Sequence, residues 1–254
     1  MTIHDFPTSR EAAAAAADRV ILALQRKPDL VLGLPTGRTP VAFYREIVRR
    51  RRLGEVDFTQ ATTFNLDEFL GVPPDDPGSY RTYMARHLFR QIDIDPGRIH
   101  FLDGSAKDPA EECERFERLI EAAGGIDLQI LGIGTNGHVG FNEPGEYLEA
   151  RTHRVALRAE TRRANASLFG DDPARVPAEA LSMGMATILQ ARSLVLLATG
   201  SEKARCVERM IRGPLTTTLP ASFLQLHPRV EVMLDRVAAA RLDGPQDPRG
   251  RALP

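Results

Sequence analysis

Side chains able to move protons gather in one stretch of this chain, LGIGTNGHVGFNEPG, from Leu131 to Gly145. It sets Asn136, His138, Asn142 and Glu143 on a glycine-rich loop directly after the apolar run IDLQI. Glycine lets a backbone turn sharply and approach a ligand closely, and these polar side chains cannot fill a core. An imidazole titrates near neutral pH and can carry a proton to or from a ring oxygen. A carboxylate a few residues on can orient the ring and stabilise its charged form, so His138 and Glu143 form a candidate acid–base pair.

A second source of chemistry is TFNLDEFLG, where Asp67 and Glu68 follow another apolar run. Successive side chains of an extended segment point opposite ways, so one carboxylate can face a cleft while the other faces structure or solvent. In a partly dry site desolvation raises a carboxylate's pKa, which makes Asp67 a candidate base. In LGLPTGRTP, Gly33 and Gly37 free the backbone, Thr39 is expected to cap the next helix, and Pro40 suits its first turn. Unpaired N–H groups at a helix start bind anions. After LVLLATG, Ser201 is expected to cap a helix with Lys203 in its first turn, where a cation opposes the helix dipole unless an anion lies nearby. Together the two loops suggest a phosphate pocket.

Other readings of these motifs fail on context. Gly132, Gly134 and Gly137 spell the dinucleotide fingerprint G-x-G-x-x-G, but Gly140, Pro144 and Gly145 follow where a helix should open. LGLPTGRTP lacks the Lys-Ser/Thr ending of a P-loop. No second cluster of His, Cys or Asp has ligand spacing, so no catalytic metal is expected. His4, His87, His100, His153 and His227 are scattered and read as structural or exposed.

The elements that must position these groups alternate along the chain. Leu30–Leu34, Ala61–Leu66, Ile99–Leu102, Ile126–Ile133, Arg154–Leu157, Ser193–Ala198 and Val230–Leu234 read as strands. Ser9–Arg26, Pro40–Arg52, Ser79–Arg90, Pro109–Ala123, Pro177–Gln190 and Ser201–Ile211 read as helices. Such alternation implies an α/β fold with a mostly parallel sheet covered on both faces. Each polar cluster then falls just past the carboxyl end of a strand, the edge at which open parallel sheets bind ligands.

Composition sets outer bounds. A chain of 254 residues can bury a full core, and residues 1–241 read as one domain followed by a loosely ordered tail over 242–254. The net charge of -1 offers no general pull on nucleic acid or membrane, so any anion must be held by local arrangement. No apolar run reaches the length of a membrane span, and the run Ala12–Ala17, flanked by Glu11 and Asp18, reads as helix and not as a signal peptide. Cys113 and Cys206 read as reduced residues of a cytoplasmic protein.

From Val31 to His227 the chain resembles the glucosamine-6-phosphate deaminases, part of a superfamily that includes 6-phosphogluconolactonases. LGLPTGRTP, FNLDEFLG, GSYRTYM, LGIGTNGHVGFNEPG, ATGSEKA and PASFLQLHP occur in that order. The resemblance implies a three-layer α/β/α sandwich with a Rossmann-like sheet, and conversion of glucosamine 6-phosphate and water to fructose 6-phosphate and ammonia without a cofactor. By the same resemblance Asp67 matches the base moving a proton between C2 and C1, and His138 the group that opens the pyranose ring, assisted by Glu143 and position 136. Thr36, Gly37 and Lys203 match phosphate contacts, and Arg38 and Thr39 of the same loop complete the candidate phosphate site. The implied partner is a small amino-sugar phosphate, in a monomer or a homo-oligomer.

The chain departs from the family pattern twice. Asn136 stands where many members have Asp, which should lower the His138 pKa. The family usually carries an Arg near Ser167 that grips the phosphate, whereas Ser167 and Leu168 occupy that stretch here, and Arg38, in the opposite loop, is the expected substitute. Rival readings are a 6-phosphogluconolactonase, a deaminase for the galactosamine epimer, and a sugar-phosphate-sensing regulator. A regulator would need a DNA-binding module, for which the single helix before Leu30 leaves little room.

Overall fold

In the computed structural model, which describes residues 1–242, six of the apolar runs join an N-terminal strand in one parallel sheet of seven strands. These are β1 (Thr2–Phe6), β2 (Val31–Leu34), β3 (Thr62–Asn65), β5 (Ile99–His100), β6 (Leu128–Leu131), β9 (Leu194–Ala198) and β10 (Val230–Asp235). Their spatial order is β1-β10-β9-β6-β2-β3-β5. Three further strands, β4 (Asp67–Phe69), β7 (His153–Ala156) and β8 (Glu179–Ser182), form a small antiparallel sheet in the order β4-β8-β7. The helices are α1 (Ser9–Arg26), α2 (Pro40–Arg52), α3 (Tyr80–His87), α4 (Pro109–Ala122), α5 (Ala159–Asn165), α6 (Met185–Leu189), α7 (Ala204–Arg212) and α8 (Arg236–Ala239).

The central strands are buried on both faces, and their side chains divide the core in two. Along β9, Leu194, Leu196 and Ala198 pack with Phe116 of α4, Ile188 of α6 and Val207 of α7. Val195 and Leu197 pack on the other side, with Ala16 and Val20 of α1 and Phe43 and Ile47 of α2. This alternation is the period-two side-chain geometry of a strand, and it produces the three layers. Helix α1 is held by a capping box between Thr8 and Glu11, and its buried alanines let it lie close to the core.

Strand order reverses its sense of growth between β2 and β6: β2 leads outward to β3 and β5, and β6 leads the other way to β9 and β10. Such a reversal opens a crevice at the carboxyl ends of the strands. β3 is anchored beside it by Phe64, fully buried, edge-on to Phe116 with centroids 5.6 Å apart and stacked on His100 at 4.7 Å. Burial of such a ring contributes roughly 2–3 kcal/mol to the position of the chain just before Asp67.

Four expectations from sequence are corrected. Pro177–Gln190 is not one helix: Glu179–Ser182 is the central strand of the small sheet, and only Met185–Leu189 is helical. Ala, Glu, Leu and Met favour helix, but Ala180 and Leu181 are fully buried between two partner strands, and that packing outweighs propensity. Gly184 precedes α6 at a point where a Cβ would lie 2.1 Å from the Arg151 carbonyl oxygen. Thr39 and Ser201 make no capping hydrogen bonds. Ser79–Arg90 breaks at Leu88 into α3 and a short 3-10 turn. The tail expected over 242–254 lies, beyond Leu242, outside the described residues.

Candidate active site

Asp67 lies where the chain leaves the large sheet and enters the small one. The Leu66 N–H donates to Leu34 on one side, the Leu66 carbonyl accepts from Met183 on the other, and Asp67 pairs with Ser182. The backbone is thereby fixed from both sheets. The carboxyl is buried and accepts one hydrogen bond, at 3.4 Å, from the Thr36 hydroxyl. Burial, aided by the neighbouring Glu68 charge, raises its pKa to about 8 against the smaller opposing effect of Thr36. Glu68 points the other way, as the strand period requires, and accepts the backbone N–H groups of Phe69, Tyr80 and Arg81 at 2.9–3.0 Å. It ties the start of α3 to β4.

The loop after β6 is shaped by glycine and braced from β8. Gly137 and Gly140 have φ of 89° and 59°, the left-handed region that suits glycine. A Cβ on Gly134 would lie 2.3 Å from the His138 ring, so the imidazole rests directly over that backbone. Ser182 Oγ accepts the Phe141 N–H at 3.0 Å, and Asn142 Nδ2 donates to the carbonyls of Val139 and Met183 at 2.8 Å. Asn142 is therefore a brace, turned into the structure and away from the cavity.

His138 is 20 % exposed and Glu143 7 %, with His138 Nδ1 and Glu143 Oε2 3.8 Å apart, an ion-pair separation. Nδ1 is buried and has no hydrogen-bond partner among the described residues. Burial lowers the His138 pKa below its ordinary value; Glu143 raises it, Lys203 lowers it and Glu160 raises it, in that order of size. The net effect disfavours the protonated imidazole in the free site. Burial is the largest cause of this shift, and residue 136 is not among its causes.

Opposite this pair lie the cations. Gly37, with φ of 100°, turns the β2–α2 loop, which is pinned by hydrogen bonds from Tyr44 to the Pro35 carbonyl and from Tyr83 to the Gly37 carbonyl. Lys203 sits in a 3-10 turn after β9. Its turn is held by the Gly200 N–H, which donates to Asp235 at 3.1 Å, and by the Cys206 thiol, which bridges the carbonyls of Lys203 and Gly134. Burial pushes the Lys203 pKa down; Cys206 and Glu202 oppose it and Arg38, the smallest of these effects, adds to it, so an anion beside Lys203 would favour its charged form.

These groups enclose one cavity of about 370 Å³. Thr36, Gly37, Arg38, Thr39, Asp67, Asn136, His138 and Lys203 line it, and Glu143 stands behind His138. Ser167 and Leu168 line it as well, with no guanidinium from that position, and Arg162 is bound instead to the carbonyls of Val176 and Ala174. Sequence reasoning missed Tyr80, Tyr83, Arg86 and His87 of α3 and Glu160 of α5. The motif GSYRTYM pointed to α3 as a whole, but no local signal pointed to Glu160. Among the described residues, no group of three or more His, Cys, Asp or Glu side chains is arranged to hold a metal ion, and no helix is long and apolar enough to cross a membrane.

Comparison with known proteins follows the same lines. The model of the glucosamine-6-phosphate isomerases/6-phosphogluconolactonase family matches residues 7–233. Glucosamine-6-phosphate deaminases from Halothermothrix orenii and Rhodopirellula baltica are each 50% identical, over 92% and 95% of this chain and 95% and 96% of theirs. A monomeric glucosamine-6-phosphate deaminase of known structure superposes with a TM-score of 0.91 at 42% identity, covering 94% of this chain and 99% of its own. The Trypanosoma brucei 6-phosphogluconolactonase shares the fold, with a TM-score of 0.75 at 22% identity over 95% of this chain and 98% of its own.

Proposed function

This chain belongs to the glucosamine-6-phosphate isomerase/6-phosphogluconolactonase family, and within it we propose the isomerising deamination of glucosamine 6-phosphate as its reaction. It is an enzyme that converts glucosamine 6-phosphate and water to fructose 6-phosphate and ammonia. The observation that carries the reading is the shared cavity: a buried carboxyl and an imidazole backed by a carboxylate open onto the same space as Arg38 and Lys203. A phosphosugar isomerisation needs these parts together, a proton carrier for ring opening, a carboxylate base for C2, and a remote anchor that fixes C1 and C2 against the base.

In this reading His138 exchanges the proton that opens the pyranose, with Glu143 stabilising its charged form. Asp67 then removes the C2 proton and returns it at C1, while one N–H proton of the C2 ammonium is released and O1 gains one in its place, which leaves an iminium at C2. Water adds to C2 and ammonia departs, giving the ketose. The pKa of about 8 keeps Asp67 protonated at pH 7 in the empty cavity. The substrate's own C2 ammonium favours the carboxylate form on binding, since an opposite charge stabilises it. Thr36, Gly37, Thr39 and Lys203 hold the phosphate, with Arg38 supplying the guanidinium that position 167 lacks. Residues 1–241 act as one catalytic unit, a reading supported by the single sheet that pairs the first strand, β1, with the last, β10, and runs unbroken from there to β5. The two unpaired cysteines support a cytoplasmic setting.

The test is release of ammonia and fructose 6-phosphate from glucosamine 6-phosphate by chelator-treated protein, beside Asp67→Asn. Stoichiometric release, lost in the variant, is the expected result. Turnover of a 6-phosphogluconolactone that survives Asp67→Asn would overturn it in favour of lactonase chemistry, which needs no base at C2.

A further inference from the structure

Asn136 has every polar atom of its carboxamide engaged. Its Nδ2 donates to Glu143 Oε2 at 3.0 Å and to Glu160 Oε1 at 2.8 Å, and its Oδ1 accepts the His138 N–H at 3.1 Å. The amide therefore bridges two carboxylates, one behind the imidazole and one on α5, and holds the backbone of the imidazole's own residue. A carboxylate at 136 could not do this, since it has no hydrogen to donate. Glu160 is otherwise an exposed residue in the first turn of α5, yet it lines the cavity. The same stretch is tied to the loop twice more: the Arg158 N–H donates to Glu143 Oε1 at 3.2 Å, and the Arg158 guanidinium donates to the Pro144 carbonyl.

We propose that Glu160 is a positioning residue for the His138–Glu143 pair, acting through Asn136 and supplying from α5 a negative charge beside the imidazole. The inference rests on the deaminase reading for its kinetic consequences. Glu143 Oε2 receives the Asn136 hydrogen bond and also faces Nδ1 at 3.8 Å, so the carboxylate's distance from the ring depends on where the amide holds it. Glu160 fixes the amide's second hydrogen and with it the rotation of the carboxamide. The charged groups facing His138 are Glu143 on its own loop, Glu160 on α5 and Lys203 on the turn after β9. Two carboxylates thus oppose one ammonium, and removal of Glu160 leaves the ring between one of each. Because α5 also brings Thr161, Ala164 and Asn165 to the cavity, the Asn136–Glu160 bond sets that wall in register with the proton-transfer loop.

The test is a cycle of Glu160→Gln, Glu160→Ala, Asn136→Asp and the double variant Asn136→Asp/Glu160→Gln. Glu160→Ala should lower kcat more than it changes KM. Glu160→Gln keeps an acceptor for the amide but loses the charge, so it should retain more kcat while the acid limb of kcat/KM moves to lower pH. Asn136→Asp sets a third carboxylate against two others, so its kcat/KM should fall about tenfold or more, the usual scale for directly bonded groups. The double variant should recover most of that loss, because the amide introduced at position 160 can donate to the carboxylate introduced at position 136, in the reverse sense. If Asn136→Asp is impaired equally with and without Glu160→Gln, the proposal is overturned. Titration of the His138 imidazole by NMR in the unliganded protein separates this result from the functional reading. A His138 pKa unmoved by Glu160→Gln refutes the role of Glu160 whatever the substrate, whereas a moved pKa without turnover of glucosamine 6-phosphate refutes only the deaminase reading.

Discussion

Asp67 should be a liability for folding in proportion to its fitness as a base, and Asp67→Asn measures both. An unfolded chain releases this proton near its ordinary pKa of 3.8, whereas the folded protein keeps it until about 8. Between those values the unfolded state binds fewer protons than the native state, so stability falls as pH rises through the window. At about 1.4 kcal/mol per unit, the loss accumulated by pH 7 has a ceiling of about 4 kcal/mol. Asparagine is nearly isosteric, can accept the Thr36 hydroxyl, and has no proton to release. Asp67→Asn should therefore match wild type within about 1 kcal/mol near pH 4 and exceed it by about 2–4 kcal/mol at pH 8. For a protein of this size that is a rise in Tm of about 4–16 °C. Glu68 titrates in both proteins, so most of its contribution cancels in the difference. Parallel urea denaturation of the two proteins from pH 4.5 to 8.5, with turnover assayed on the same samples, reads out both effects. A stability gap that stays flat with pH, or an Asp67→Asn protein less stable than wild type at pH 8, would refute the argument that burial of an uncompensated carboxyl sets this site.

Gly134→Ala should leave the fold intact and reduce kcat sharply, because the new Cβ would meet the His138 ring at 2.3 Å and must displace it; near wild-type kcat would mean the ring is not held over that backbone. His138→Asn should lower kcat by about 10²–10⁴-fold, the usual contribution of a positioned acid or base, with little change in the thermal midpoint. Arg38→Ala should raise KM about tenfold or more, since hydrogen bonds to a charged group contribute roughly 1.5–3 kcal/mol. An unchanged KM would show that the guanidinium lost at position 167 has no substitute in this loop.

Much of the site was legible because its groups sit on short loops attached to strong local patterns. The runs Leu30–Leu34 and Ser193–Ala198 are apolar enough to be strands covered on both faces, so Thr36–Thr39 and Lys203 had to emerge at the carboxyl edge. His138 was legible because glycines on both sides leave it no role in packing. Capping is absent at Thr39 and Ser201 for backbone reasons: Thr39 is already helical, with φ -59° and ψ -47°, and not in the extended geometry a side-chain cap needs, while Gly200 holds the capping position and Ser201 opens the turn itself.

The chain's own pattern of apolar runs, glycines and amphipathic helices determines the parallel sheet, its two covering layers and the edge where chemistry gathers, since each depends on residues close in sequence. The tertiary structure alone decided the small antiparallel sheet and what it braces. Val139–Asn142 is held by Ser182 and Met183, about forty positions away, from a segment whose composition favours helix. It also decided the partners of Asn136. Nothing within the glycine-rich loop reveals that its amide will meet Glu160, because a hydrogen bond across 24 positions exists only once α5 has docked. Depth of burial, which raises the Asp67 pKa and lowers that of His138, is likewise a property of the assembled layers and not of either residue's neighbours in the chain.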